Sequence, residues 1–131
     1  MLALSPSVSA MVREPRPEQT PLMTTICRGF LLESIKMNGT DIPPSMGVSQ
    51  AINFQTEGQK AATTGDFVLT ANKVNPVVRT LKEYGIAVTA LRSHMLTETP
   101  RLFFMHFWAV DNPDKLAYGL RKALGLTNTI M

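Results

Sequence analysis

A chain of 131 residues and 14.4 kDa has the length of one domain, and 44% hydrophobic residues suffice for a core. The formal charge of +3 is spread along the chain, which argues against a nucleic-acid-binding stripe. No apolar run nears the ~18 residues of a transmembrane helix, and the single cysteine, Cys27, excludes an internal disulfide framework.

Residues 1–24 carry Pro6, Pro15, Pro17 and Pro21 and show no period of 2 or 3.6, so they read as a flexible N-terminal arm. This start lacks the basic region and long apolar stretch of a signal peptide, which points to a cytoplasmic protein. Residues 25–131 read as a single α+β domain. Its first part, Arg28 to Met37, suits a short strand, and Asn38-Gly39 marks a turn. From Gly47 to Phe54 the pattern alternates: Val48, Gln50, Ile52 and Phe54 share one parity, as in a half-buried strand. Glu57-Gly58 turns the chain into a second strand, Lys60 to Leu69.

A helix follows, with Asn75 as its cap, Pro76 at its first position and Gly85 just past its end. Two further strands, Ile86 to Met95 and Arg101 to Val110, are joined by a turn at Thr97 to Pro100. The last helix is capped by Asp111 or Asn112 and starts at Pro113. It turns Leu116, Ala117, Leu120, Ala123 and Leu124 inward.

The order β-β-β-α-β-β-α predicts an antiparallel sheet of four to five strands with two helices on one face, around a ferredoxin-like β-α-β-β-α core. A right-handed crossover leaves a gap that strand 101–110 fills, and strand 48–54 forms one edge. The opposite face is also apolar in places. Both parities of 86–95 and 101–110 carry large hydrophobics, so that face asks for cover, which homodimerisation or the N-terminal segment would supply.

His94 and His106 lie on the two strands flanking the Thr97–Pro100 turn. Counting outward from that turn places Arg92 opposite His106 and His94 diagonal to it, all on one face. Two imidazoles so placed suit a transition metal such as zinc, or acid–base work. Two protein ligands are fewer than a metal usually takes, which favours a pair of hydrogen-bonded structural histidines. Asp66, in mid-strand beside Gly65, reads as a solvated side chain at a kink, and otherwise as a third ligand; Glu98, in the turn, reads as exposed. No nucleotide-binding or serine-hydrolase motif is present.

The segments GDFVLTANKVNPVVRTLKEYGIAVTAL, HML and PRLFFMHFWAVDNPDKLAYGLRKAL resemble the LppY/LpqO family of uncharacterised bacterial proteins over residues 45–127. That family brings no established activity. Its pattern has His-Asn-His where this chain has Arg92-Ser93-His94, and an acidic residue where Lys73 stands. Arginine stays protonated and does not ligate metals, so the family's histidine triad is incomplete here, and Arg92 with the two histidines suits an anion instead. Family members commonly hold two copies of this unit. One copy here implies that a second chain takes the place of the second copy. The resulting reading is a homodimeric, non-enzymatic binding or interaction module for a small molecule or anion, with no nucleic-acid or membrane partner. Its ligand site is Arg92, His94, His106 and Asp66. The alternative is a metal-binding protein or metal-dependent enzyme built on His94 and His106.

Overall fold

A computed structural model of the chain describes residues 24–31 and 33–130; the arm expected over residues 1–24 lies outside them except for Thr24. Nine strands and two α-helices follow in order: β1 (Thr24–Leu31), β2 (Lys36–Met37), β3 (Thr40–Asp41), β4 (Ser49–Glu57), β5 (Lys60–Thr70), α1 (Ala71–Glu83), β6 (Ala87–Ser93), β7 (Glu98–Thr99), β8 (Leu102–Asp111), α2 (Pro113–Gly125) and β9 (Thr129–Ile130). Six strands form one antiparallel sheet in the order β6-β8-β5-β4-β1-β9, and β3-β2-β7 form a second, small one. β8 lies between β5 and β6, antiparallel to both, as the crossover argument requires.

Both helices pack on one face of the large sheet. Phe67, Leu69, Met105 and Phe107 from β5 and β8 meet Val77 and Leu81 of α1 and Leu116, Leu120 and Ala123 of α2 in one core. The helix ends follow local chemistry. The Asn112 side chain accepts from the amides of Asp114 (2.9 Å) and Lys115 (3.3 Å), with Pro113 at the first turn. At the other end of α1, Gly85 takes φ 70°, and its amide and that of Ile86 bond back to the carbonyls of Lys82 and Leu81. This glycine C-terminal motif needs a residue free to adopt the left-handed region.

Several expectations are corrected. The sheet has six strands, because β1 and β9 extend it beyond β4, which is therefore not an edge. The single strand expected over 28–37 is two: β1 ends at Leu31, and Lys36–Met37 leaves the large sheet to pair with Thr40–Asp41 across the Asn38-Gly39 turn. Helix α1 begins at Ala71, leaving Pro76 in its interior. Pro76 forfeits one backbone bond, but the earlier turn brings Val74 onto the core beside Val77, so tertiary packing overrides the cap signal. Gly119 lets α2 approach the end of α1: a Cβ there would lie 2.6 Å from the side chain of Tyr84, the C-cap of α1.

The second sheet face is partly covered from within the chain. Ile35, Ile42 and Val48, from the segment that holds β2 and β3, bury Val68 and Leu102, with Met37, Met95 and Phe104 at the margin. Val48, just ahead of β4, thus leaves the parity of that strand, whereas Gln50 keeps the parity of Ile52 and Phe54. Its buried amide imitates a strand neighbour: Oε1 accepts from the Val68 amide, and Nε2 donates to the Val68 carbonyl and to Thr129. That satisfies backbone groups that β4 no longer reaches.

Candidate functional site

The half of the outer sheet face that residues 35–48 leave open is set by register. Residues paired across strands share a face. One row reads Ala51, Asp66, His106, Ala90; the next reads Asn53, Thr64, Trp108, Ala87; on the other side lie Val68, Phe104 and Arg92. The two outer alanines carry no bulk, so the central pair stands clear of its neighbours.

Asp66 and His106 are direct partners across β5 and β8, and the imidazole Nδ1 is hydrogen-bonded to the Asp66 carboxylate. A carboxylate can only accept, so Nδ1 carries the hydrogen. The ring is thereby fixed in orientation with Nε2 left for another group. The pair is open to solvent, with side-chain exposures of 50% for His106 and 31% for Asp66. Asp66 is therefore neither a lone solvated residue nor at a break in pairing, since the β5–β8 register runs unbroken through Gly65 and Asp66. Gly65 serves another purpose: a Cβ there would lie 1.9 Å from the Ala51 carbonyl oxygen. Only glycine lets β4 approach so closely. Trp108, two residues beyond His106 on the same face, is 49% exposed. Beside it Thr64 donates to the Phe107 carbonyl and Asn53 to the Thr64 carbonyl, so both are held in place.

His94 belongs to a different cluster. Beyond a register shift between Val88 and Ala90, Ala90 stands opposite His106 and Arg92 opposite Phe104. His94 bonds through its amide to the Leu102 carbonyl. It shares the face of His106 but lies four residues away along β8, ~13 Å at ~3.3 Å per residue. Its ring packs edge-on against Phe104 and is hydrogen-bonded to Glu98. Glu98 is not the exposed turn residue expected. Its side chain is buried, and its second oxygen accepts from the amides of Met95 and Leu102 at 3.2 and 2.9 Å. β7, to which Glu98 belongs, pairs with β2, so this carboxylate ties the β6–β8 connection to the small covering sheet. Arg92 lies with its guanidinium carbon 4.8 Å from the centre of the Phe104 ring, exposed at the rim.

The four residues read from the sequence therefore fall into two groups. Asp66 and His106 form an open pair, and His94 is committed to Glu98 below the surface, with Arg92 over the phenyl ring between them. Among the described residues no set of three or more His, Cys, Asp or Glu is arranged to hold a metal ion. Two neighbours stand differently from the sequence expectation: Trp108, which it gives no role, and Glu98, which it expects to be exposed. Trp108 was legible, since it shares parity with His106. Glu98 was not, because nothing in a turn carboxylate reveals that a chain segment sixty residues away will bury it.

These features define an antiparallel α+β domain whose helices cover one sheet face and whose other face presents a histidine–aspartate pair beside a tryptophan. By comparison with family models the chain belongs to the family described as Domain of Unknown Function (DUF1259), which matches residues 22–126. No curated protein and no solved structure matches it. No helix among the described residues is long and apolar enough to cross a membrane.

Proposed function

We propose that this protein is a non-enzymatic binding module whose working surface is the open half of the outer sheet face, with His106 at its centre. The observation that carries this reading is the Asp66–His106 pair, exposed on two adjacent interior strands. A solvent-exposed side-chain pair adds little stability, so its placement on paired interior strands is better explained by recognition. The carboxylate fixes the ring, Nε2 meets the ligand's hydrogen-bonding group, and Trp108 offers a flat apolar wall. A small polar ligand with one planar face suits this arrangement. Arg92 at the rim favours an anionic substituent on it, whereas His94, spent on Glu98, takes no part.

The same face is where two copies of the chain meet. Trp108 (49% exposed) and Val110 (42%) lie at its open end, and internal cover reaches only the other end. Burying these side chains against a second copy would enclose the ligand between two His106 residues. This agrees with the finer resemblance to LppY/LpqO proteins, in which two copies of the unit stand together. A ferredoxin-like description of β5-α1-β6-β8-α2 belongs to the same reading.

Light scattering at micromolar concentration tests the association: a particle of twice the 14.4 kDa chain mass supports it, and a monomer refutes it. Trp108→Asp should return the wild-type dimer to monomer with an unchanged circular dichroism spectrum.

A further inference from the structure

The face around His106 is lopsided in its hydrogen-bonding groups: most of the polar atoms it leaves unengaged are acceptors. With Nδ1–H committed to Asp66, Nε2 of the neutral His106 ring is a lone pair. The second Asp66 oxygen has no hydrogen bond among the described residues. The only buried side-chain oxygen or nitrogen among them without a partner belongs to Glu33, so this Asp66 oxygen opens to solvent. One row away, Asn53 directs its amide nitrogen to the Thr64 carbonyl (3.2 Å), and Thr64 its hydroxyl to the Phe107 carbonyl (2.8 Å). What these two leave free is chiefly oxygen lone pairs. Half-exposed Trp108 lies two residues from His106 on the same face, ~7 Å away at ~3.3 Å per residue.

Taking this open face as the binding surface, as proposed above, we infer that its ligand is a pyranose sugar. Two neighbouring hydroxyls donate to His106 Nε2 and to the free Asp66 oxygen, and the C–H face of the ring lies on Trp108. A pyranose carries donors around its rim and bare C–H groups across its face. The faintly positive hydrogens of that face suit the negative face of an indole. Ala51, Ala87 and Ala90, in the same rows, add no bulk beside it. A flat acid without hydroxyls would set lone pairs against lone pairs, so the anionic substituent that Arg92 favours belongs at the edge of a sugar ring. A metal ion would find one imidazole nitrogen and one carboxylate oxygen, short of its usual ligand set. An organic ammonium would satisfy one acceptor and share the face with the Arg92 guanidinium.

The probes are the methyl pyranosides of glucose, galactose, mannose and glucuronic acid, titrated into the full chain at pH 8, where an ordinary imidazole is neutral. Sodium benzoate serves as a flat anion without donors, and the Trp108 indole N–H resonance reports binding. A saturable shift with at least one pyranoside, at higher affinity than benzoate, supports the inference. In Asp66→Asn the amide oxygen still accepts from Nδ1, while an NH2 group replaces the free acceptor. Sugar affinity should therefore fall tenfold or more in this variant, its spectrum otherwise overlaying the wild type. Undiminished sugar binding by Asp66→Asn overturns the inference. So does benzoate binding to the wild-type chain as well as or better than every pyranoside, which leaves the face a binding surface and removes only the ligand class. Silence from all five probes overturns both.

Discussion

Removing the Glu98 carboxylate should loosen the covering sheet more than any other single polar truncation. The side chain is fully buried and accepts from three donors: the His94 ring, the Met95 amide and the Leu102 amide. Glu98→Ala leaves all three without a partner under the small sheet. Stranding one buried donor costs about 1–3 kcal/mol, and breaking a buried pair by removing one member costs about 3–5 kcal/mol. The two routes overlap at a loss of about 3–5 kcal/mol, or roughly 10–20 °C in Tm for a domain of this size. Glu98→Gln keeps an acceptor for both amides and loses only the charge toward His94, so it should cost about 1–2 kcal/mol. Urea unfolding followed by the fluorescence of Trp108, the one tryptophan, separates the two variants through the midpoint at constant slope. A Glu98→Ala protein within about 1 kcal/mol of wild type would mean that the carboxylate is not the tie between β7 and the β6–β8 connection.

Other substitutions probe the scaffold. Gly65→Ala, whose Cβ would meet the Ala51 carbonyl at 1.9 Å, should lose at least about 2 kcal/mol in the same assay, because backbone and not a pliant side chain stands in the way; a neutral result would contradict the close approach of β4. Asn112→Ala should cost about 1 kcal/mol through the lost cap of α2, with Asn112→Asp near neutral. Lys115 and the Asn112 amide hold the Asp111 carboxyl below its usual 3.8. A group lowered in the folded state stabilises above its unfolded value, and that contribution disappears as pH falls through the folded one. Wild type should therefore exceed Asp111→Asn in thermal stability at pH 6, and the gap should close below about pH 3.8; a gap that persists at pH 2 would contradict the assignment.

The parts of this fold legible in the sequence are those governed by local chemistry. Asn112-Pro113 starts a helix, Gly85 ends one, Asn38-Gly39 makes a tight turn, and alternation marks β4. The parts that were not legible arise from contacts distant in sequence. The Val74 and Val77 packing moves the start of α1 ahead of Pro76. The excursion of residues 33–48 covers Leu102 and Val68, which left the expected apolar underside only half bare. The site divides in the same way. Alternation placed His106 and Asp66 on interior strands, but their pairing depends on the β5–β8 register, which no local signal fixes. The β6–β8 pairing runs two residues off the count outward from the turn, which places Arg92 opposite Phe104 and not His106.

The open face around His106 is tested most directly by native mass spectrometry of the full chain, produced without an affinity tag and sprayed from volatile buffer. The proposal requires a particle of two chains that retains a small molecule, with the retained mass lost in His106→Ala while the dimer persists. A bare 14.4 kDa species, or an adduct indifferent to His106, would contradict it.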